Sequence, residues 1–297
     1  MSQLRDKILS YPVETYFPME ATPTYTNPEI LGTYLPTGTP FMNNGGSGAL
    51  PIYEPTENPI GADGGSWRFN QPTQNAARYM RTNSIYYGNQ RVWDGQYGFG
   101  IWVRFNSFPT GTTTATYTFF ATARTNSFPG FSLSLRGTTH TSGVGVMHNL
   151  FSSSTPILVP QLNTWYYIVG RKNKSTSGAT IWVNGVKIAT GTNTTGVEPV
   201  TSTETTYQIA FGTSGTATAA SSYSYNLSHA HLMDFSTFTD AAIADIYQAG
   251  STAPSLRTVK YFNGTSWVDS IGQKVWNGTA WDDWNAKRFD GSNWVNV

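Results

Sequence analysis

The segment Ile181-Trp-Val-Asn-Gly-Val-Lys-Ile188 carries the clearest β signature in the chain. β-branched and aromatic residues flank Asn184-Gly185, and Asn-Gly is the dipeptide that most strongly favours a two-residue type I′ hairpin turn. Such flanking residues pack well on a pleated, half-buried surface. The sequence therefore predicts two short antiparallel strands that are joined at this dipeptide.

Similar strand signals lie on both sides of this hairpin, between turns that are rich in glycine and proline. Aromatic residues make up 14% of the chain, charged residues make up only 12%, and there are 29 glycines. This composition is typical of an all-β protein that is built from many short strands. The predicted strands are residues 66–69, 97–105, 117–123, 130–135, 143–147, 164–171, 179–188, 207–211 and 228–235.

One short helix is predicted near the end of the strand series, at residues 240–249. Thr239 is a good N-cap, and the acidic residue after it suits the positive end of the helix dipole. Ile243, Ile246 and Tyr247 form a narrow apolar stripe, and Gly250 supplies the stop signal.

The first 65 residues contain many prolines and glycines, which predicts a loop-rich lead-in. Within it, residues 4–9 predict one or two helical turns with Leu4 and Ile8 on one side. The expected organisation is a β domain at residues 1–250, a linker at 251–258 and a repeat module at 259–297.

The end of the chain repeats one phrase three times: Lys260-Tyr-Phe-Asn-Gly-Thr-Ser-Trp267, Lys274-Val-Trp-Asn-Gly-Thr-Ala-Trp281 and Lys287-Arg-Phe-Asp-Gly-Ser-Asn-Trp294. Each phrase has Asn-Gly or Asp-Gly between aromatic residues, which predicts three β-hairpins with two-residue type I′ turns. In that register Phe262 faces Thr265, and Lys260 faces Trp267.

Strand alternation then gives each hairpin the same face, made of a lysine, an aromatic residue, a hydroxyl residue and a tryptophan. An isolated hairpin is marginal in water, so this face needs a cover. The β domain of the same chain, another subunit and a cell-surface ligand all remain open as that cover. The predicted partner-binding residues are Lys260, Phe262, Trp267, Lys274, Trp276, Trp281, Lys287, Phe289 and Trp294.

Charge and composition exclude several classes of function. The formal net charge is +1 at pH 7, so no basic field exists to bind nucleic acid or anionic lipid. Cysteine is absent, which excludes disulfides and thiolate chemistry. No apolar run of about 18 residues occurs, so no membrane insertion is expected. The opening residues lack an apolar stretch of signal-peptide length, which predicts synthesis in the cytoplasm without a signal peptide.

Five motifs resemble, in the same order, those of one family. They are Gly64-Gly-Ser-Trp-Arg-Phe69, Gly98-Phe-Gly-Ile-Trp-Val-Arg104, Asn163-Thr-Trp-Tyr-Tyr-Ile-Val169, Ile181-Trp-Val-Asn-Gly185 and Thr239-Asp-Ala-Ala-Ile243. Over residues 64–250 the chain resembles the concanavalin A-like sandwiches of the laminin G type, particularly those in bacteriophage tail proteins. The repeated tail phrase resembles C-terminal repeats of phage virion proteins.

This resemblance implies an all-β, concanavalin A-like jelly-roll sandwich, with the short helix near 240–249 and the hairpin repeats appended. It also implies a virion structural protein of the tail tip, baseplate or fibre that acts in attachment to a host-surface glycan or in assembly. Its partners would be other virion proteins and further copies of the chain in a homo-oligomer. A capsid decoration protein and a secreted glycan-degrading enzyme are the alternatives.

Some relatives hold calcium at one rim of the sandwich, with an acidic residue at the start of the last strand. His229 or Ala230 stands at the matching place here. The departure argues against calcium, and no cofactor is expected.

Glycoside hydrolases exist on this fold, and they need two carboxyl groups about 5–9.5 Å apart. On one strand face such a pair would stand at i, i+2 or i+4, and no two acids of the sandwich region have that spacing. No nucleophile elbow or Gly-rich phosphate loop occurs either. The prediction is therefore no catalytic residues and a non-enzymatic protein. The acids considered are Asp94, Glu198, Glu204, Asp234, Asp240 and Asp245.

His229 and His231 stand two residues apart and therefore on one face of a predicted strand, a spacing that can suit a metal ion. No cysteine exists to complete a ligand set, so two exposed or hydrogen-bonded imidazoles are favoured.

The tryptophans fall into two groups. Trp102, Trp165 and Trp182 lie on predicted central strands and are expected in or near the core, with ligand stacking as the less favoured alternative. Trp67 and Trp93 lie near strand edges and loops. Structural packing is favoured for Trp67 and Trp93, and a glycan-binding platform is the alternative for each, because a ring face can stack on a sugar.

Overall fold

The structure of this protein is a computed structural model. In the first part of the molecule, antiparallel strands form two sheets. The chain divides into two compact units, Met1–Ala253 and Pro254–Val297. The described residues are 3–20, 31–32, 41–42, 51–62, 64–71, 79–82, 97–108, 116–123, 132–136, 145–148, 158–172, 179–190, 208–212, 223–235, 238–252, 260–262, 267–269, 274–276, 281–283, 287–289 and 294–296.

The first unit contains the described helices and most of the described strands. The helices are α1 Gln3–Leu9 and α2 Asp240–Ser251. The strands are β1 Val13–Phe17, β2 Leu31–Gly32, β3 Phe41–Met42, β4 Ile52–Glu54, β5 Ser66–Gln71, β6 Tyr79–Thr82, β7 Tyr97–Ser107, β8 Thr116–Ala123, β9 Ser132–Arg136, β10 Gly145–His148, β11 Trp165–Lys172, β12 Ala179–Val183, β13 Val186–Thr190, β14 Gln208–Gly212 and β15 Tyr223–Asp234.

These strands form a sandwich of two sheets. Sheet A has the order β13-β12-β11-β7-β15-β1-β2. In addition, β5 pairs with β15, and β4 pairs with β5. Sheet B has the order β10-β9-β8-β14-β6-β3. Phe17 of sheet A packs edge to face on Phe211 of sheet B, with ring centroids 5.2 Å apart and both rings buried. The all-β sandwich that the sequence predicts is confirmed.

The hairpin predicted at residues 181–188 is present in sheet A. Val183 pairs directly with Val186, which leaves two residues in the turn. Asn184 has φ 52° and Gly185 has φ 79°, the left-handed backbone that a type I′ turn requires. A short-range signal therefore predicted this element correctly.

The lead-in is more structured than its composition indicates. β1 pairs with the long strand β15, and β4 pairs with β5, so the lead-in supplies part of sheet A. Helix α1 forms where helical turns are predicted, and its Leu4 and Ile8 are both buried. The strands were missed because pieces of three to five residues are too short for a period-2 signal. Their hydrogen-bond partners lie far away in sequence.

Helix α2 begins where the sequence predicts. The Thr239 side chain accepts a hydrogen bond from the Ala242 backbone N–H at 3.2 Å, as an N-cap does. The helix continues through Ser251, and the Thr252 N–H bonds to the carbonyl of Gln248. The predicted helix, residues 240–249, is therefore two residues shorter than the observed one at its C-terminal end. Neither helix in the described residues has the length and apolar character needed to span a bilayer.

The second unit contains three two-stranded ribbons in its described residues. β16 Lys260–Phe262 pairs with β17 Trp267–Asp269, β18 Lys274–Trp276 with β19 Trp281–Asp283, and β20 Lys287–Phe289 with β21 Trp294–Asn296.

The predicted register of these ribbons is wrong. Phe262 pairs with Trp267 and Lys260 with Asp269, so four residues separate the strands instead of two. This register pairs an aromatic position with an aromatic position in every ribbon, because Trp276 pairs with Trp281 and Phe289 with Trp294. Aromatic cross-strand pairs contribute about 0.2–1 kcal/mol each, and four-residue loops are also common in hairpins.

Candidate functional site

The outer face of sheet A, which is turned away from sheet B, has two chemically different halves. Helices α1 and α2 cover one half. Trp102 of β7 lies beneath α2, where its ring stacks on Tyr167 and on Tyr247, with centroids 5.2 and 6.0 Å apart. The buried cluster under the helices consists of Leu4, Ile8, Tyr16, Ala62, Trp102, Tyr167, Val169, Trp182, Met233, Phe238, Ala242, Ile243, Ile246 and Ala249.

The other half of this face is polar, and no helix of the described residues covers it. Arg104 stands two residues after Trp102 on β7, so it faces the same way. Asn226 of β15 pairs with Arg104 on one side and with Arg68 of β5 on the other. We call this surface the polar face, and it consists of Glu54, Glu57, Ser66, Arg68, Arg104, Asn106, Asn163, Ser224 and Asn226.

Asn226 is the centre of a hydrogen-bond network in the polar face. Its amide is buried and donates to Glu54 Oε2 at 2.8 Å and to Ser66 Oγ at 2.7 Å. Its Oδ1 accepts from Asn106 Nδ2 at 2.5 Å. A buried amide that is bonded on both ends has one orientation, so it fixes the side chains around it.

Two ion pairs lie beside this network. Arg68 Nη1 is 2.5 Å from Glu54 Oε1, and Arg104 Nη1 is 2.6 Å from Glu57 Oε2. The exposed fractions of these side chains are 35% for Arg68, 19% for Glu54, 17% for Arg104 and 40% for Glu57. Each guanidinium thus has its own carboxylate, and the formal charges of the four residues cancel.

An aromatic ring borders the polar face. Trp165 of β11 pairs with Arg104 across the strands and is half-buried against the cluster under the helices. Just before it, Asn163 adopts a left-handed backbone with φ 57°, and its N–H bonds to the carbonyl of Phe105 at 2.7 Å. This turn presents Asn163 Oδ1 to Arg104 Nη2 at 3.2 Å. The polar face therefore combines fixed amides, guanidinium and carboxylate groups with a ring at its edge.

The tryptophans predicted from the sequence lie in different places. Trp102 and Trp182 are buried, and Trp165 is half-buried, as the core prediction expects for central strands. Trp67 is only 4% exposed, so its ring offers no face to a sugar, and the platform alternative for it is wrong. Trp93 lies outside the described residues.

The polar face was not predicted, although the signal was available in alternating polar residues. Arg104 and Asn106 alternate with buried residues on β7, and Ser224 and Asn226 do so on β15. Glu54 was outside the region searched for acids, because it belongs to the lead-in and reaches the sheet only through β4.

The two predicted histidines lie inside the molecule as hydrogen-bonded imidazoles. His231 Nδ1 donates to the carbonyl of His229 at 2.9 Å, so Nε2 accepts from the Tyr167 hydroxyl at 2.8 Å. His229 Nδ1 is 2.5 Å from the Tyr16 hydroxyl, and its Nε2 is 3.7 Å from Glu20 Oε1. The register shift between Ser228 and His231 breaks simple alternation, so the expectation that both rings share one strand face does not follow.

Burial sets the protonation of this pair. Loss of solvation lowers the pKa of His229 to about 3, with His231 and Arg5 adding smaller repulsions, and lowers that of His231 to about 4. Both rings are therefore neutral at neutral pH. Within the part of the chain that the structure describes, no three His, Cys, Asp or Glu side chains group as a metal site.

The predicted partner-binding residues lie on the paired strands of the second unit. The observed register brings Phe262 opposite Trp267, and it brings Trp276 opposite Trp281. By alternation, positions 260, 262 and 267 still belong to one face of the first ribbon. Their role in partner binding stays a prediction.

No protein-family model and no curated protein matches this sequence. Three solved structures illustrate the similar folds. A botulinum neurotoxin type C structure, described for interaction with two ganglioside molecules, is 12% identical over 82% of this chain and 52% of its own, with a TM-score of 0.49. The binding domain of botulinum neurotoxin serotype G is 12% identical over 84% of this chain and 55% of its own, with a TM-score of 0.48.

The third is domain 4 of a GH43 extracellular arabinanase from Geobacillus stearothermophilus, in complex with arabinotriose. It is 16% identical over 80% of this chain and 99% of its own, with a TM-score of 0.46. The chain spans about half the length of the neurotoxin structures. Similarities of this size carry no argument about function for this chain.

Proposed function

We propose that this protein is a non-enzymatic binding module that attaches to a cell-surface glycan through its polar face. The observation that carries the proposal is the fixed hydrogen-bond network around Asn226, with Trp165 at its border. The module would act without turnover, as a site of attachment.

The chemistry of the polar face suits sugar hydroxyls. Amide, guanidinium and carboxylate groups are planar and offer paired donors and acceptors, which match neighbouring hydroxyls of a sugar ring. The half-buried Trp165 ring can stack on the apolar face of that ring. Because the network already fixes these side chains, little conformational entropy would be lost on binding.

Replacing Arg104 by methionine tests this assignment. The change removes the guanidinium between Glu57 and Asn163 but keeps much of the apolar stem. We expect binding of the best glycan on an array to weaken at least tenfold, measured by isothermal titration. Lys187→Met is the matched control, since it removes an exposed cation from edge strand β13. We expect less than a twofold change there, and equal effects of both variants would exclude the polar face as the site.

A glycan-degrading enzyme is the second candidate, because the polar face does contain two carboxylates. A glycosidase needs one carboxyl group that carries a proton at working pH. Glu54 and Glu57 each bond to an arginine guanidinium, and Glu54 also accepts from Asn226, so these carboxylate oxygens are already engaged as acceptors. This pairing favours binding over hydrolysis. Release of reducing ends from a bound glycan, lost in Glu54→Gln, would establish the enzyme instead.

In the finer form of the proposal, the protein is a bacteriophage virion component of the tail tip, baseplate or fibre. The motif order over residues 64–250 and the repeated tail phrase support it. The polar face would meet the host glycan, and the ribbons of the second unit would dock on other virion proteins or further copies of the chain.

Truncation after Ala253 tests the role given to the ribbons. The first unit has its own core and both sheets, so we expect a folded protein that keeps glycan binding. Incorporation into particles should fall at least tenfold, measured by quantifying the protein in purified virions. Normal incorporation of the truncated chain would contradict the docking role, while the glycan proposal would stand on its own measurement.

A further inference from the structure

Resting on the proposed function, we infer that the polar face selects neutral glycans and discriminates against anionic ones such as sialylated, uronic acid or sulfated sugars. The geometry that points to this is the one-to-one pairing of guanidinium and carboxylate groups across the face. The inference concerns the ligand class and does not depend on the virion assignment.

The two arginines of the polar face already have partners. Arg104 donates through Nη1 to Glu57 and through Nη2 to Asn163, so both of its terminal nitrogens are already engaged. Arg68 Nη1 is paired with Glu54. An incoming carboxylate would compete with Glu57 for Arg104 and with Glu54 for Arg68.

The two glutamates of the polar face also have partners. Glu54 uses both oxygens, Oε1 toward Arg68 and Oε2 toward Asn226, and is only 19% exposed. Glu57 is 40% exposed and lies at the solvent side of Arg104. An anionic sugar beside them would meet a carboxylate next to each guanidinium, so it would lose hydration without gaining a net attraction.

The groups of the polar face that remain for a ligand are uncharged. Beyond the paired charges, the polar face offers the exposed amide of Asn163 and the partly exposed hydroxyl of Ser224. These groups are neutral donors and acceptors. The net charge of the whole chain is only +1, so no long-range field draws anions to the surface either.

Glu57→Gln should change this selectivity. The substitution keeps the shape of the side chain and an oxygen for Arg104, but it removes the negative charge. The Arg104 guanidinium then keeps its hydrogen bonds but has no counter-ion. We expect the ratio of affinities for acidic over neutral glycans to rise at least tenfold, and to fall again as salt is raised from 50 to 500 mM.

The experiment uses the full chain on matched pairs of neutral oligosaccharides and their sialylated or uronic acid-containing counterparts. Asp245→Asn is the matched control, because it neutralises a carboxylate on helix α2 that bonds to Lys7 and Tyr11 outside the polar face. Thermal unfolding of each variant checks that it is folded.

We expect the unaltered protein to bind the neutral member of each pair at least tenfold more tightly, and Asp245→Asn to keep that ratio. Preference of the unaltered protein for the acidic members would overturn the inference and leave the proposed function standing. An unchanged ratio in Glu57→Gln would also overturn it. Absence of binding to every glycan would remove the proposed function and the inference together.

Discussion

Replacing Gly61 by alanine is expected to lower the free energy of unfolding of the first unit by about 3 kcal/mol or more. The expected fall in Tm is roughly 10 °C for a unit of this size. The effect is large because Gly61 lies where the lead-in meets both helices. Circular dichroism with thermal and urea unfolding measures it.

The physical reason is a close approach of two backbones. A Cβ at Gly61 would lie 1.6 Å from the carbonyl oxygen of Ala249 and 2.7 Å from its carbonyl carbon. Those atoms belong to the last turn of α2 and cannot rotate away as a side chain can. Gly61 also accepts from Leu4 N at 3.1 Å and donates to Gly250 O at 3.0 Å. Moving it would therefore loosen both helices from the cluster beneath them.

Ile60→Ala is the matched control for this prediction. Ile60 is the preceding residue of the same loop, but its side chain is 62% exposed. We expect a change in unfolding free energy of about 0.5 kcal/mol or less. If Gly61→Ala is as stable as Ile60→Ala, the close contact between the lead-in and α2 is wrong.

The two kinds of Asn-Gly hairpin show how far local sequence predicts this fold. At Asn184-Gly185 the turn preference and the pairing of Val183 with Val186 agree, and the predicted two-residue turn forms. In the ribbon that begins at Lys260 the same dipeptide does not set the register, and Phe262 pairs with Trp267 instead. A turn dipeptide therefore predicts that a hairpin exists, while the cross-strand pairs determine its register.

The candidate site was harder to predict, because its parts come from distant segments. Arg104 and Asn226 showed the alternation of an amphipathic sheet, but nothing in the sequence indicates that they are paired. Glu54 comes from the three-residue strand β4, which is too short to show a pattern of its own and joins the sheet by pairing with β5. Assembly of such a site depends on long-range strand order, which short-range patterns do not contain.

Lowering the pH from 7 to 5 is expected to reduce the free energy of unfolding by about 4 kcal/mol through His229 and His231 alone. Both rings are fully buried and carry no charge at neutral pH. In the unfolded chain each histidine has an ordinary pKa of about 6.5. The unfolded state therefore gains two protons in this range, and the folded state gains almost none.

The direction follows from the lowered pKa values. Between pH 6.5 and about 4 the unfolded chain binds more protons than the folded one, so stability falls as the pH falls, by about 1.4 kcal/mol per pH unit for each ring. The loss continues for His229 until its folded pKa of about 3. The stability lost between pH 7 and pH 5 is set by the pKa values of the two histidines in the unfolded chain, because both of their folded-state pKa values lie below pH 5.

Urea unfolding at pH 7, 6 and 5 measures the slope, and two variants assign it. His231→Gln removes one titrating ring, so the pH-dependent loss should fall by about half, or about 2 kcal/mol. Tyr167→Phe keeps both rings and removes only the hydroxyl that bonds to His231 Nε2. It should lower stability by about 1 kcal/mol at neutral pH and keep the full pH dependence. A His231→Gln protein with the same slope as the unaltered chain would show that the ring takes up its proton in the folded state, and the buried neutral pair would then be wrong.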